Sequence, residues 1–160
     1  MTTPLGGEFH QVAFVTRDLD AALDRFETVF PGRRWRIYTF DSATHATAER
    51  DGEPTAWVVR LALGDGSPQV ELVEPVSESG IHREWLEQRG EGFHHVGIVV
   101  DSVPDSLREL GRTALISGTG FGIDGSGAYA YVDTSAELGY LVELLEPPTS
   151  LGEPDAIRNG

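Results

Sequence analysis

The chain has no cysteine and no lysine. Without cysteine there is no disulfide, no thiolate nucleophile, no iron–sulfur cluster and no Cys-ligated zinc. Without lysine there is no Schiff base, no pyridoxal-phosphate anchor and no Walker lysine. Positive charge is scarce altogether: 12 arginines stand against 26 acidic residues, a formal charge of −14 over 160 residues. So acidic a chain repels nucleic-acid phosphates and anionic membrane surfaces, and neither is an expected partner. Long apolar runs are also missing. Val96 to Val100 is among the longest, far short of a membrane span. The first residues, MTTPLGGEFHQ, have neither a basic region nor an apolar stretch, so no signal peptide is expected, and the expected compartment is the cytoplasm. Hydrophobic residues at 39% and charged residues at 24% give an ordinary globular balance.

What the chain does contain is a repeat. Val70-Glu71-Leu72-Val73-Glu74-Pro75 returns as Val142-Glu143-Leu144-Leu145-Glu146-Pro147, an offset of 72. His10-Gln11-Val12-Ala13-Phe14-Val15 returns as His94-His95-Val96-Gly97-Ile98-Val99, an offset of 84 that Leu23 and Leu107 share. The order is conserved between the halves, so two copies of one unit are expected. The first spans 1–75 and the second 93–147, with a linker carrying a short helix over 76–92 and a tail over 148–160.

Each copy reads as strand, helix, then three strands. Phe9 to Val15 is short, apolar and partly β-branched, hence a strand. Asp18 caps a helix with apolar residues at 19, 22, 23 and 26, ended by Pro31-Gly32. Trp35–Phe40, Thr55–Leu63 and Gln69–Val73 read as strands. The second copy gives strands near 93–100, 113–117, 127–132 and 140–145 and a helix near 104–110. The polar stretch 41–54 reads as a mobile loop. The expected fold is α+β, two tandem βαβββ units related by a pseudo-two-fold axis, with eight strands in all.

Alternation along the strands then picks out polar residues. Gln11 and His95 occupy one face of the two first strands, with Phe93, Gly97 and Val99 on the His95 side. Glu71 and Glu143 stand at equivalent mid-strand positions between apolar neighbours. The quartet Gln11, Glu71, His95 and Glu143 either converges or faces solvent on the outside of an open sheet. Converged, one imidazole, two carboxylates and an amide oxygen suit a divalent cation of borderline or hard character.

A doubled unit with "ELVEP" and "ELLEP" closings and a "GFHHVGIVV" strand resembles the vicinal oxygen chelate superfamily, over about 9–147. Its members include glyoxalase I, methylmalonyl-CoA epimerase, extradiol dioxygenases, and fosfomycin and bleomycin resistance proteins. The likeness is to the glyoxalase and epimerase branch. It implies a cup-shaped mixed sheet around a divalent metal such as zinc, nickel or cobalt, with one ligand from the first and one from the last strand of each unit. The family's phase selects His95 over His94 and Gln11 over His10, and Glu71 and Glu143 complete the set. Glutamine at the first position is a variation found among glyoxalase I enzymes. By the same resemblance Glu143 is the first candidate base and Glu71 the second. The implied reaction is that of an isomerase, epimerase or lyase on a small carbonyl or thioester substrate, through a metal-stabilised enediolate. A non-catalytic binding or resistance protein is the alternative. The third strand, Thr55 to Leu63, has no carboxylate where the epimerase carries a glutamate base, and Gln11 breaks the two-histidine, one-carboxylate triad of a dioxygenase.

Lesser signals have plainer readings. Gly120-Phe121-Gly122-Ile123-Asp124-Gly125 fits G-x-G-x-x-G, but a strand follows instead of a helix, so it reads as a flexible loop over the cup. His45 and His82 read as surface histidines, and His10 and His94 as core or interface residues turned away from the quartet. One of Arg33, Arg34 and Arg36 could meet a substrate carboxylate or phosphate. Trp35, Tyr38, Trp57, Phe121, Tyr129 and Tyr131 divide between pocket and core, and Tyr140 reads as packing. Exposed sheet edges and an apolar face in each unit favour a homodimer.

Overall fold

A computed structural model of the chain describes residue 5 and residues 8–160; most of the segment read as lacking a signal peptide lies outside them. The elements in order are β1 (Gln11–Val15), α1 (Leu19–Val29), β2 (Arg34–Asp41), a 3-10 turn (Ser42–Thr44), β3 (Thr47–Arg50), β4 (Glu53–Pro54), β5 (Val58–Gly64) and β6 (Gln69–Pro75). Then come α2 (Ile81–Arg89), β7 (Gly92–Val99), α3 (Val103–Leu110), β8 (Ile116–Thr119), β9 (Ala128–Val132), α4 (Ser135–Leu138), β10 (Leu141–Glu146) and β11 (Ala156–Asn159).

All strands join one mixed, curved sheet in the order β11-β2-β5-β6-β1-β7-β10-β9-β8-β3-β4. The two copies are visible in it. The first gives β2-β5-β6-β1 and the second β7-β10-β9-β8, with β1 parallel to β6, β7 parallel to β10, and β1 antiparallel to β7 at the seam. Segments 70–75 and 142–147 are therefore equivalent strands. The fold is α+β and glyoxalase-like, but with eleven strands instead of eight.

The three additional strands come from segments with no apolar periodicity. Residues 41–54, expected as a loop, instead make the 3-10 turn and the β3–β4 hairpin. β3 pairs with β8 of the second copy, Thr47 opposite Thr119, and the two hydroxyls lie 2.8 Å apart. Ladder hydrogen bonds to a sheet edge hold this polar segment, which buries little. Likewise the tail returns as β11 against β2.

Alternation divides the side chains between two faces. On one, Leu19 and Leu23 of α1 pack on Trp35, Ile37, Val70 and Leu72. The matching cluster under α3 joins Val103 to Val96, Ile98, Val142 and Leu144. The other face lines the cup, with Tyr38, Val59, Leu61, Leu63, Tyr129 and Tyr131.

The repeated Glu-x-x-Glu-Pro has a division of labour. Its first glutamate points into the cup. Its second caps a helix of its own unit: Glu74 accepts from the Leu19 amide and Glu146 from the Val103 amide, each at 2.6 Å. A carboxylate there satisfies a free N–H and faces the positive end of the helix. Glu74→Ala and Glu146→Ala are each expected to cost about 1 kcal/mol in urea denaturation and to leave metal uptake unchanged.

Candidate metal centre

Two cross-strand rows meet at the seam. In one, Glu71 of β6 faces Ala13 of β1, which faces His95 of β7. In the other, Gln11 of β1 faces Gly97 of β7, which faces Glu143 of β10. The rows are images under the repeat: Gln11 matches His95, Ala13 matches Gly97, and Glu71 matches Glu143. The middle residue of each row is small, so the four longer side chains lean over it and come together.

They converge on one atom. Nε2 of His95 lies 3.3 Å from Oε1 of Gln11, 3.3 Å from Oε2 of Glu143 and 3.4 Å from Oε2 of Glu71. None of the four residues is more than 9% exposed. The Gln11 amide is oriented from outside: its Nε2 donates to Oε1 of Gln69 at 2.9 Å, which turns its oxygen inward.

Charge in this nest is unbalanced. Among the described residues no arginine pairs with Glu71 or Glu143; their charged neighbour is His95. Burial raises the Glu71 carboxyl above its ordinary range. Burial pushes His95 down, but the carboxylates of Glu143 and Glu71 outweigh it and hold the imidazole at about 9. The Tyr131 hydroxyl is pushed well up by burial and by the neighbouring Glu143 and Glu71.

These donors fit a divalent cation. The set is one imidazole nitrogen, two carboxylates and an amide oxygen, of the types zinc and its neighbours accept. Neighbouring ligands of a four-coordinate ion with bonds of about 2.05 Å are roughly 3.3 Å apart, matching the three N–O separations around His95.

The first strand of the second copy departs from simple alternation. Val12 faces Val96 and Ala13 faces His95, but the next pair is Phe14 with Phe93, leaving His94 as the extra residue of a β-bulge. Phe93, expected on the His95 face, packs instead on Phe14 and Tyr140 with ring centroids at 5.7 and 5.0 Å. His94, expected to turn away, is buried beside His95.

Two further histidines correct the surface reading. His82 of α2 is buried and stacks on His94 at 4.6 Å and 23°, and burial drops it to about 3. His82 and Leu86 are spaced i,i+4 on the buried side of α2, a signal the sequence carried. His45 is half-buried; its ring meets the edges of Trp57 and Tyr129, and burial lowers it. Ring nitrogens of His82, His94 and His95 lie within 4.8 Å of one another. Stacking of His82 on His94 sets their in-plane lone pairs side by side instead of converging them on one ion, so His95 belongs with the carboxylates.

Above the quartet opens an apolar cavity walled by Trp57, Leu61, Phe121, Tyr129, Tyr131 and Leu151. Trp35 is not in it; it packs under α1 against Phe26. Phe121 belongs to the glycine-rich 120–125 loop, which thus covers the cup. His10 is exposed and lines the same cavity. Arg36 lines it too, and shares Asp65 with Arg34 at 3.4 and 3.7 Å. Arg60, the charge of the third expected strand, points outward to Asp20.

Residues 10–124 match the model of the Glyoxalase/Bleomycin resistance protein/Dioxygenase superfamily. The chain belongs to that superfamily. Within the glyoxalase/bleomycin resistance/dioxygenase superfamily its likeness to individual members is distant. It is 29% identical over 84 residues to the uncharacterized protein YqjC of Bacillus subtilis (strain 168), covering 51% of this chain and 60% of the relative, so the match spans less than two thirds of that protein. Hypothetical protein BH1468 from Bacillus halodurans C-125 superposes with TM-score 0.64 at 17% identity, covering 89% of this chain and 96% of that one. Methylmalonyl-CoA epimerase from Mycobacterium tuberculosis gives 0.60 at 20%, covering 92% and 91%. A variant of the Streptomyces coelicolor methylmalonyl-CoA epimerase in complex with 2-nitronate-propionyl-CoA gives 0.58 at 22%, covering 86% and 95%. At these identities the likeness is one of fold. No helix among the described residues is long and apolar enough to cross a membrane.

Proposed function

We propose that this superfamily member is a metal-dependent isomerase, epimerase or lyase that moves a proton next to a carbonyl or thioester group. The observation that carries the reading is the buried quartet, in which two carboxylates without an arginine partner surround one imidazole at the floor of an apolar cavity. Gln11, Glu71, His95 and Glu143 are the residues that would hold the ion. A divalent ion held there would supply Lewis acidity toward a substrate carbonyl. Glu143 takes the proton from the carbon and returns it to that carbon or the next, while the electron pair rests on the carbonyl oxygen. The aromatic wall holds the apolar part of the substrate and excludes water, and Arg36 at the lip meets an anionic end.

The cavity side of β5 is Val59, Leu61 and Leu63, all apolar, so acid–base work falls to the quartet itself. The experiment is deuterium wash-in. Protein loaded with zinc, nickel or cobalt is incubated in D2O with a panel of thioesters and 2-oxo compounds, methylmalonyl-CoA among them. Metal-dependent exchange next to the carbonyl, lost on chelation, is expected. Bound metal without exchange on any compound transfers the protein to the sequestering class. No metal uptake at all ends the chemistry assigned to Glu143.

Gln11→His is expected to tighten zinc, nickel or cobalt by about tenfold or more, because imidazole is a better ligand for these ions than an amide oxygen. Competition titration against a chromophoric chelator measures it.

A further inference from the structure

The contact between His94 and His95 has no role in the quartet as described. Both rings are fully buried, and their Nδ1 atoms lie 2.8 Å apart. The bulge creates this contact, since it turns two successive residues to the same side. Two ring nitrogens at that distance share one proton: with none, lone pairs meet, and with two, hydrogens collide. Its location decides what the far side of His95 can do.

Nε2 of His95 faces three oxygens. To donate an electron pair to an ion among them, it must be bare, and a neutral His95 then carries its proton on Nδ1. The hydrogen between the rings then belongs to His95, and His94 is the acceptor. His94 then bears its own proton on Nε2. Its other neighbours are the backbone of Ile81 and the rings of His82, Trp85 and Tyr131, none of them a carboxylate.

We infer that His94 is a positioning residue: its Nδ1 accepts the Nδ1–H of His95 and thereby fixes the ring and the tautomer that present the His95 Nε2 lone pair to the quartet. Histidines that bind metals commonly give their second N–H to a carboxylate, a carbonyl or water. Here the acceptor is a second imidazole, supplied by the residue before it in the chain. The assignment rests on the metal-centre reading, and the test separates the two.

Two readouts on purified protein test it. Long-range 1H–15N NMR of the histidine rings in zinc-loaded protein is expected to place the proton on Nδ1 of His95 and on Nε2 of His94. Cobalt titration is expected to show His94→Leu binding about 10- to 100-fold more weakly than the wild type, with an altered d–d spectrum. His94→Asn places an amide oxygen where Nδ1 stood and is expected to recover binding to within a few fold. Thermal melts of both variants accompany the titration. A purely structural role would make affinity follow the melting temperature instead of the acceptor. The assignment is overturned if His94 carries the Nδ1 proton, if His94→Leu binds cobalt as the wild type does, or if asparagine does no better than leucine. A wild type that binds neither ion overturns the metal-centre reading, and the assignment with it.

Discussion

Glu143→Gln is expected to slow deuterium wash-in about 10²- to 10⁴-fold at saturating metal, the range a general base contributes. Glutamine keeps the shape and one oxygen for an ion but cannot accept a proton. Glu143 is favoured over Glu71 by its surroundings. It stands on β10 opposite Tyr131 of β9, on the flank where Tyr129 and Phe121 build the aromatic wall. In the proposed reaction a substrate packed on that wall would bring its reacting carbon to Glu143. Glu71 is on the other flank, opposite Leu63, which in turn faces Arg36 across β5 and β2. An anionic end at Arg36 therefore lies two strand spacings, about 9.6 Å, from Glu71 along the sheet. Glu71→Gln is expected to weaken metal binding while lowering the saturated rate less than tenfold. Rates of both variants, each at saturating metal, check the assignment. A larger loss for Glu71→Gln would reverse the base and the orientation of the substrate.

The sequence made the core of this arrangement legible because the repeat carries both the fold and the four residues that meet at the seam. Matching Val70–Pro75 to Val142–Pro147 located the two closing strands, and matching His10–Val15 to His94–Val99 located the seam. The same offsets pair Ala13 with Gly97, the two small residues that let the quartet meet. What was not legible has local causes. A bulge leaves no mark in His94-His95-Val96, because histidine fits a buried or an exposed position equally well, so simple alternation gives the wrong phase before His95. Residues 47–50 are held by edge pairing with β8, and half-exposed Thr-Ala-Glu-Arg has no pattern to announce it. His82 reads as a surface residue because it lies in the linker helix, whereas Ile81, His82 and Leu86 are the buried residues of that helix, α2.

Gly97→Val is expected to weaken metal binding by about 10- to 100-fold or more, the loss of a partner behind a ligand being the lower bound, in a protein that still folds. Gly97 is the centre of the Gln11–Gly97–Glu143 row. A Cβ added there would lie 3.1 Å from Cβ of Gln11, 3.4 Å from Oε1 of Gln11 and 3.5 Å from Oε2 of Glu143. Alanine alone is a tight fit, and the two further methyls of valine occupy space between the two donor oxygens. Both side chains must swing apart, so the oxygens no longer meet His95. The backbone itself does not resist: Gly97 is absent from the positive-φ glycines, and valine favours a pleated, buried strand. Overpacking of the core costs about 1–3 kcal/mol, which would lower the melting temperature without abolishing the fold. Gly97→Ala should fall between the wild type and Gly97→Val, since its neighbours need yield only a few tenths of an ångström. Cobalt isotherms of the three proteins, with circular dichroism to show that the sheet persists, measure the series. Unchanged affinity in a folded Gly97→Val protein would mean that Gln11 and Glu143 do not bind one ion together.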